Sequence, residues 1–269
     1  MNASDCTAIR TIQRHIHVLV AVLAILSALA ALTGCSAMRL NIQRADEGLT
    51  IVLPGIDGRG LHNENICRRL AAEGVPTAIE LYDWTSMAGM LVNQTAMSRN
   101  RRAAQQLADH IADYRREYPG RPVFLVGHSG GTAIAVWAAE AMPSGQEIDG
   151  VILMGSSLSP QYDLSVALAR TRRLVNFYSY RDAALLGAGC RMVGTMDRQF
   201  TEAAGKVGFE ASGSNMTQIP FDRSMEAAGL DGSHLSYCSS GFVTAYVAPL
   251  IKGGGHRVGP AIATASPTR

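Results

Sequence analysis

The residues with the clearest chemical potential are those from Gly127 to Gly131, which read Gly-His-Ser-Gly-Gly. An apolar segment, Val123–Val126, runs directly into them and is typical of a strand buried on both faces of a parallel sheet. A helix is predicted immediately afterwards, over 132–142. A tight strand-to-helix turn pushes the Ser129 hydroxyl out above the sheet edge, beside the positive end of the helix. Ser129 is therefore a candidate nucleophile, and the alternative is a glycine-rich structural turn.

This Gly-x-Ser-x-Gly segment between a strand and a helix resembles the nucleophile elbow of the α/β-hydrolases. The resemblance covers about residues 49–252 and is strongest to the compact lipase and esterase branch, because no large insertion separates the strands. It implies an α/β-hydrolase fold with a mostly parallel sheet, helices on both faces and a minimal cap. It also implies that Gly127, His128 and Gly131 shape the elbow around a nucleophilic Ser129, with no cofactor or metal ion.

A serine hydroxyl needs a positioned base, and in this superfamily the acid and the histidine follow the nucleophile in that order. The resemblance implies that the base is His234, in a loop just before the last predicted helix. The implied acid is Asp182, at the end of a predicted strand, where it would orient the imidazole. Asp163 and Asp197 are the rival acids. The alternative roles are an exposed loop histidine and a solvated loop aspartate.

The tetrahedral intermediate of such a reaction carries an oxyanion, which needs preorganised hydrogen-bond donors. The resemblance implies two backbone donors, the N–H groups of Gly130 and Ile56. Ile56 belongs to the loop Pro54–Gly58 after the first predicted strand. This loop is similar to the family's His-Gly-x segment, with proline in place of the histidine. Asp57 is expected to stabilise the loop.

Together these residues imply a serine esterase or lipase-like enzyme that cleaves carboxylic esters through an acyl-enzyme, with a small-molecule or lipid ester as substrate. Acyl transfer, thioester cleavage and peptide cleavage use the same chemistry and stay open, because the pocket decides specificity. A non-catalytic binding or scaffold protein on the same fold is a further alternative. The formal net charge of +2 is too small to indicate a nucleic-acid partner.

The segments that must position these residues alternate between strand-like and helix-like patterns, which predicts a parallel sheet covered by helices. Hydrophobic residues make up 47% of the chain, enough for a large core. Strands are predicted at 49–53, 77–82, 123–126, 151–154, 174–178 and 217–221. Helices are predicted at 61–73, 98–118, 132–142 and 239–251.

One long irregular stretch, Asp83–Ala96, interrupts this alternation. Large apolar side chains occur along it and directly after it, at Trp84, Met87, Met90, Leu91 and Met97. Flexible methionine side chains adapt to varied apolar ligands, so the stretch is a candidate acyl-pocket wall or small lid. Simple packing against the core is an equal alternative.

The N-terminal segment has the pattern of a secretion signal. Arg10 and Arg14 precede an almost unbroken apolar run, Val18–Leu32, which is too short to predict a spanning helix. Residues 32–36 then read Leu-Thr-Gly-Cys-Ser, similar to the lipobox of bacterial lipoproteins. This resemblance implies that a lipidated Cys35 becomes the mature N-terminus. The alternative is a short uncleaved anchor helix with a chance cysteine.

The chain is therefore predicted to contain a lipoprotein signal peptide (1–34), a lipidated cysteine with a polar, irregular tether (35–48), the hydrolase domain (49–252) and a tail (253–269). The tail is rich in Gly, Pro, Ala and Thr, which predicts disorder. A lipid anchor would attach the protein to a membrane and hold the domain outside the cytoplasm. The predicted location is the cell envelope, on the periplasmic face or the cell surface.

The five cysteines differ in their expected fates. Cys6 would leave with the signal peptide, and Cys35 would carry the lipid. The remaining Cys67, Cys190 and Cys238 permit at most one disulfide. Cys190 and Cys238 follow the segments of the implied acid and histidine, so a bridge between them stays open. No spacing of cysteine and histidine indicates a metal site.

Overall fold

The protein is built around a mostly parallel β-sheet. A computed structural model describes residues 38–253, so the predicted signal peptide, Cys35 and residues 254–269 lie outside the described residues. The strands are β1 (Met38–Leu40), β2 (Leu49–Leu53), β3 (Ala78–Leu81), β4 (Val123–His128), β5 (Gly150–Met154), β6 (Leu174–Tyr178) and β7 (Met216–Pro220). Their order in the sheet is β1-β3-β2-β4-β5-β6-β7, and only β1 runs antiparallel. This arrangement confirms the predicted fold class and the predicted strands.

Helices cover both faces of this sheet. They are α1 (Leu61–Ala72), α2 (Met90–Thr95), α3 (Met97–Glu117), α4 (Gly130–Ala141), α5 (Ser165–Ala169), α6 (Cys190–Val193), α7 (Ala204–Val207), α8 (Ser240–Phe242) and α9 (Ala248–Ile251). Helical turns of π type span Ala183–Gly189 and Val243–Val247, and those of 3-10 type span Ile42–Arg44, Arg223–Ala228 and His234–Cys238. The predicted helices are confirmed, although the last one contains a π-helical middle. Between residues 38 and 253, no helix is both long and apolar enough to span a bilayer.

Two apolar layers, one on each face of the sheet, form the core. Successive side chains of a strand point to opposite faces, so Ile51 and Leu53 enter one layer and Val52 the other. Helix α3 covers the first layer with Leu107 and Ile111, together with α4. Helix α1 and the helices from α8 to α9 cover the second layer. Burial on both faces explains why the strands are almost entirely apolar.

The prediction of an irregular tether before residue 49 was wrong for Met38–Leu40. These residues form β1, which pairs antiparallel with β3 so that Met38 lies opposite Leu81. Met38 and Leu40 pack against the second apolar layer. The strand exists because β3 would otherwise expose unpaired backbone groups at the edge of the sheet. A strand of three residues is too short for an alternation of apolar and polar side chains to be recognised in the sequence.

The described cysteines do not form a disulfide. Cys67, Cys190 and Cys238 are all buried and free, so the bridge left open between Cys190 and Cys238 is absent. Burial raises the pKa of each of these thiols to about 12. They are therefore protonated near neutral pH and are poor nucleophiles.

Candidate active site

The backbone of Ser129 is held in a conformation that non-glycine residues rarely adopt. Its φ is 53° and its ψ is −123°, between the end of β4 and the first residue of α4. Such a conformation costs on the order of 1–3 kcal/mol and persists only when neighbouring structure enforces it. The Ser129 N–H donates to the Met154 carbonyl on β5 at 3.0 Å. The strand-to-helix turn expected from the sequence is therefore present and strained.

Two side chains that the sequence analysis did not single out hold this turn in place. The Ser129 carbonyl accepts hydrogen bonds from Thr132 Oγ1 at 2.5 Å and from Ser157 Oγ at 3.1 Å. Thr132 Oγ1 in turn accepts from the Ser157 N–H at 3.2 Å. The position of Ser157 could have pointed to this site, because Ser157 follows the carboxyl end of β5 and ligand sites lie at this edge of a parallel sheet.

Close backbone approach explains the glycines around Ser129. A Cβ on Gly131 would lie 2.3 Å from the Leu53 carbonyl oxygen, and one on Gly127 would lie 2.8 Å from the Thr132 Cα. Both neighbours are backbone atoms, which cannot move aside as a flexible side chain can. Only glycine therefore lets α4 start so close to β2 and β4.

The structure brings Asp182 and His234 together. His234 Nδ1 lies 2.5 Å from Asp182 Oδ2, and both residues are buried. The other carboxylate oxygen, Oδ1, accepts the N–H of Leu186 at 3.4 Å, where Asp182 caps the π-helical turn Ala183–Gly189. A carboxylate only accepts, so Nδ1 carries the proton and donates it. In the neutral imidazole, Nε2 is then the nitrogen without a proton, which is the tautomer a general base needs.

The two rival acids have structural roles elsewhere. Asp163 is exposed and accepts the N–H of Ser165 at 2.9 Å, at the start of α5. Asp197 accepts the N–H of Ser159 at 2.9 Å and the Thr195 hydroxyl at 2.7 Å. Both carboxylates stabilise turns, and neither is hydrogen-bonded to His234.

The ring of His128 lies against the ring of His234. The ring centroids are 5.0 Å apart, and His128 Nε2 lies 3.1 Å from the His234 carbonyl oxygen. The carbonyl must accept this bond, so Nε2 carries the proton. Complete burial, followed by repulsion from His234, lowers the pKa of His128 to about 3. His128 is thus a neutral side chain that fixes the backbone of His234.

This depressed pKa predicts a loss of stability in acid that depends on His128. The ordinary value is 6.5, so between that pH and about pH 3 the unfolded chain binds a proton that the folded chain excludes. Stability is therefore highest above this window and falls as the pH drops through it. Between pH 6.5 and 4, we expect the wild type to lose about 3 kcal/mol more unfolding free energy than His128→Gln.

Glutamine can keep the hydrogen bond to the His234 carbonyl but does not titrate. The free energies of unfolding of the two proteins, measured in urea at each pH, therefore differ through the His128 proton. Parallel pH profiles for the two proteins would contradict the prediction. His62→Gln serves as the control, because His62 is exposed and is the smallest of the influences that lower the pKa of His128, so its profile should stay close to that of the wild type.

The backbone of the Pro54–Gly58 loop lies directly against Ser129. A Cβ on Gly55 would lie 3.2 Å from Ser129 Cβ, and one on Gly130 would lie 3.3 Å from the Ile56 nitrogen. The two amides implied as oxyanion donors, those of Ile56 and Gly130, are thus neighbours at the elbow. Asp57 is exposed and lines the cavity described below.

The segment Asp83–Ala96 holds this loop from behind. Trp84 Nε1 donates to the Pro54 carbonyl at 2.8 Å, and Asn93 Nδ2 donates to the Ile56 carbonyl at 2.9 Å. The Asp83 carboxylate accepts the Arg59 N–H at 3.1 Å. Asn93 itself is 2% exposed. The sequence gives no sign of this role, because the segment around Asn93 was predicted to be irregular, whereas Asn93 lies in α2; no local pattern links it to the distant loop.

A cavity of about 530 Å³ opens at the carboxyl edge of the sheet, and both Ser129 and His234 line it. Much of its wall is apolar and comes from α2, the π-helical turn Ala183–Gly189, α6 and the residue after His234; the side chains are Met90, Leu91, Leu185, Leu186, Val193 and Leu235. Both alternatives for Asp83–Ala96 are thus realised in different residues. Trp84 is buried in the core, whereas Met90 and Leu91 form part of the cavity wall.

Sequence comparison identifies the family of this chain. The family model described as serine aminopeptidase, S33, matches residues 48–182, a segment that includes Ser129 and Asp182. The chain belongs to this family of the α/β-hydrolase superfamily and is a serine hydrolase. No curated protein shows significant sequence similarity to it.

Several solved structures resemble the chain at low sequence identity. TT1662 from Thermus thermophilus is 16% identical, with a TM-score of 0.46 over 77% of this chain and 90% of that one. A cutinase-like protein from Cryptococcus sp. is 15% identical, with a TM-score of 0.43 over 77% and 96%. The esterase domain of a Rhodothermus marinus protein is 17% identical, with a TM-score of 0.45 over 80% and 88%.

Proposed function

We propose that the chain is a carboxylic-ester hydrolase of the esterase or lipase type, with Ser129 as nucleophile, His234 as base and Asp182 as the acid. The observation that carries this proposal is the position of a strained serine and a carboxylate-held imidazole on one cavity with a largely apolar wall. An apolar wall with few polar groups at one end suits the acyl chain of an ester.

In the proposed acylation step, Ser129 Oγ attacks the ester carbonyl while His234 Nε2 removes its proton. The imidazolium that forms is stabilised by Asp182, which lies 2.5 Å from Nδ1. The N–H groups of Ile56 and Gly130 donate to the oxyanion, aided by the positive end of α4. Collapse of the intermediate breaks the ester C–O bond, and the proton passes from His234 to the leaving alcohol.

In the proposed deacylation step, a water molecule replaces the alcohol. His234 takes a proton from this water as it attacks the acyl carbon on Ser129. The bond between Ser129 Oγ and the acyl group then breaks, and Ser129 Oγ recovers its proton from His234. The net reaction converts an ester and water to an acid and an alcohol.

A fluorophosphonate probe tests the proposal directly, because it labels serines that a base activates. The full chain in detergent-solubilised membranes is treated with the probe, and the adduct is mapped by peptide mass spectrometry. We expect an adduct on Ser129 that is absent from Ser129→Ala and unchanged in Ser236→Ala. Ser236 is a matched control, since it is a half-buried serine two residues after His234.

Ser157 lines the same cavity, so an adduct there instead of on Ser129 would contradict the assignment. No adduct on a folded chain would favour a non-catalytic binding or scaffold protein. A substrate panel of p-nitrophenyl esters, acyl thioesters and aminoacyl anilides then separates esterase, thioesterase and peptidase activities. Transfer to added alcohols reports acyltransferase activity.

Asn93→Ala is expected to lower kcat about 100-fold with little change in KM. Loss of the Asn93 side chain removes the hydrogen bond to the Ile56 carbonyl. The Ile56 N–H, which belongs to the neighbouring peptide group, is then no longer held toward the oxyanion. The substitution therefore weakens stabilisation of the transition state, which carries the oxyanion, and leaves binding of the substrate in its ground state unchanged. Steady-state kinetics on a p-nitrophenyl ester measure it.

Asn215→Ala is the matched control for Asn93→Ala. Asn215 also holds a backbone segment through its side chain, donating to the Leu168 and Thr171 carbonyls at 3.0 and 2.6 Å. It precedes β7 at the opposite edge of the sheet from Ser129. Both variants should lose thermal stability, but only Asn93→Ala should lose kcat. Equal kcat values in the two variants would rule out a positioning role for Asn93.

We further propose that the enzyme is anchored in the cell envelope by lipid on Cys35. The support is the sequence itself, in which an apolar run follows Arg10 and Arg14 and ends in Leu-Thr-Gly-Cys. Labelling in a bacterial host with an alkyne-tagged fatty acid should mark the wild type and Cys6→Ala but not Cys35→Ala. A mature N-terminus upstream of Cys35, or an unlabelled wild type, would contradict the anchor.

A further inference from the structure

Several large apolar side chains on the segments that form the cavity are exposed. These side chains are large and highly exposed, from 48% to 106%, and they lie on the segments that form the cavity wall. We call them the apolar collar; its members are Met87, Met90, Leu91, Leu185, Met192 and Leu235. Met90, Leu91, Leu185 and Leu235 also line the cavity itself. The collar is therefore continuous with the cavity wall. A cluster of this kind around a site is unusual on a protein surface exposed only to water.

The collar segments are also depleted in charge. Residues 84–98 contain no charged side chain, and residues 183–193 contain only Arg191, which is exposed. Such a face carries little cost of desolvation when it is buried. Arg191 lies 3.4 Å from Glu202 in an ion pair, and Asp57 is an exposed carboxylate that lines the cavity; apart from these charges the face is apolar.

The chain enters the sheet at the same edge that carries the cavity. Because β1 is antiparallel, its first residue, Met38, lies opposite Leu81, the last residue of β3. Met38 therefore marks the carboxyl edge, where β4 runs into Ser129. Only Ser36 and Ala37 separate it from Cys35. Since an extended chain advances about 3.5 Å per residue, a lipid on Cys35 would be attached within about 10 Å of Met38.

We propose that the apolar collar docks onto the lipid bilayer and that Ser129 hydrolyses acyl esters taken directly from that bilayer. This inference rests on the proposed function and on the proposed anchor, and it adds the partner surface and the substrate class. The acyl chain passes from the bilayer between the collar side chains to Ser129 without crossing water. The ester C–O bond breaks, water supplies the new acid oxygen and a proton, and the alcohol leaves.

Tryptophan fluorescence in vesicles tests the docking. Met87→Trp and Ile42→Trp full chains are reconstituted in vesicles of phosphatidylethanolamine and phosphatidylglycerol, with or without acyl-chain brominated lipid. Ile42 is the matched control, because it is 64% exposed and follows the end of β1 that lies at the opposite sheet edge. Wild-type spectra are subtracted to remove the buried Trp84 and Trp137.

We expect bromine to quench most of the emission of Met87→Trp and little of that of Ile42→Trp. Equal quenching of the two variants overturns the docking. A shielded but unquenched tryptophan at position 87 also overturns it, and would indicate a second copy of the chain as the occupant.

An activity comparison separates docking from catalysis. Met87→Gln/Met192→Gln changes collar residues that do not line the cavity. We expect unchanged kcat/KM on soluble p-nitrophenyl acetate and about a tenfold loss on a long-chain ester held in vesicles. If the double variant keeps wild-type activity on both substrates, or loses activity equally on both, the docking is overturned while the hydrolase assignment stands. A wild type that cleaves neither ester instead removes the proposed function on which the docking depends.

Discussion

His234→Ala is expected to lower kcat for ester hydrolysis by about 10⁶-fold, the cost found when one member of a cooperating serine triad is removed. Without the imidazole, the Ser129 hydroxyl loses the base that is proposed to take its proton. His128 cannot substitute, because its burial keeps its pKa near 3 and its Nε2 proton is committed to the His234 carbonyl. Steady-state hydrolysis of p-nitrophenyl esters gives the measurement.

His62→Ala is the control for this substitution, since His62 is an exposed histidine on α1. It should retain the wild-type kcat. Binding of a non-hydrolysable substrate analogue should persist in His234→Ala, because the cavity wall is unchanged. A His234→Ala protein that keeps more than about a hundredth of the wild-type rate would show that another group acts as the base.

Asp182→Asn is expected to lower kcat by about 10⁴-fold, the cost of the same change in a well-studied serine protease. The asparagine amide can donate to His234 Nδ1, which reverses the direction of the hydrogen bond. The proton of the imidazole then resides on Nε2, where it blocks removal of the Ser129 proton. The volume of the side chain is almost unchanged, so the effect arises from the tautomer.

Asp163→Asn provides the matched control for Asp182→Asn. Asp163 was a rival acid on the basis of sequence, but its carboxylate accepts the Ser165 N–H at 2.9 Å, a bond that asparagine also accepts. Its kcat and melting temperature should equal those of the wild type. An Asp182→Asn enzyme of normal kcat would remove Asp182 from the mechanism, and a large loss in Asp163→Asn would point to a different acid.

The elbow around Ser129 could be predicted because its signal is local. The strand, the Gly-x-Ser-x-Gly segment and the following helix are contiguous, and each of their patterns is recorded in neighbouring residues. The alternation of strands and helices could be predicted for the same reason. Met38–Leu40 escaped prediction because so short an edge strand owes its existence to the partner strand β3.

Pairs that are distant in sequence were harder to predict. Asp182 and His234 are separated by 52 positions, and family order rather than local pattern singled them out. Asn93, 37 positions from Ile56, was not singled out at all. The polar groups that hold a loop are chosen by the geometry of the loop, which no window of sequence contains.

The fold class, the helix and strand segments and the serine at the strand-to-helix turn could all be read from local patterns, because periodicity and glycine placement act over a few residues. The folded chain was needed to show which carboxylate lies against His234, that Cys190 and Cys238 stay free, and that Trp84 enters the core while Met90 and Leu91 line the cavity. These outcomes depend on how separate segments meet at the carboxyl edge of the sheet. The contacts between these segments depend on packing on both faces of the sheet, and this packing involves the whole chain.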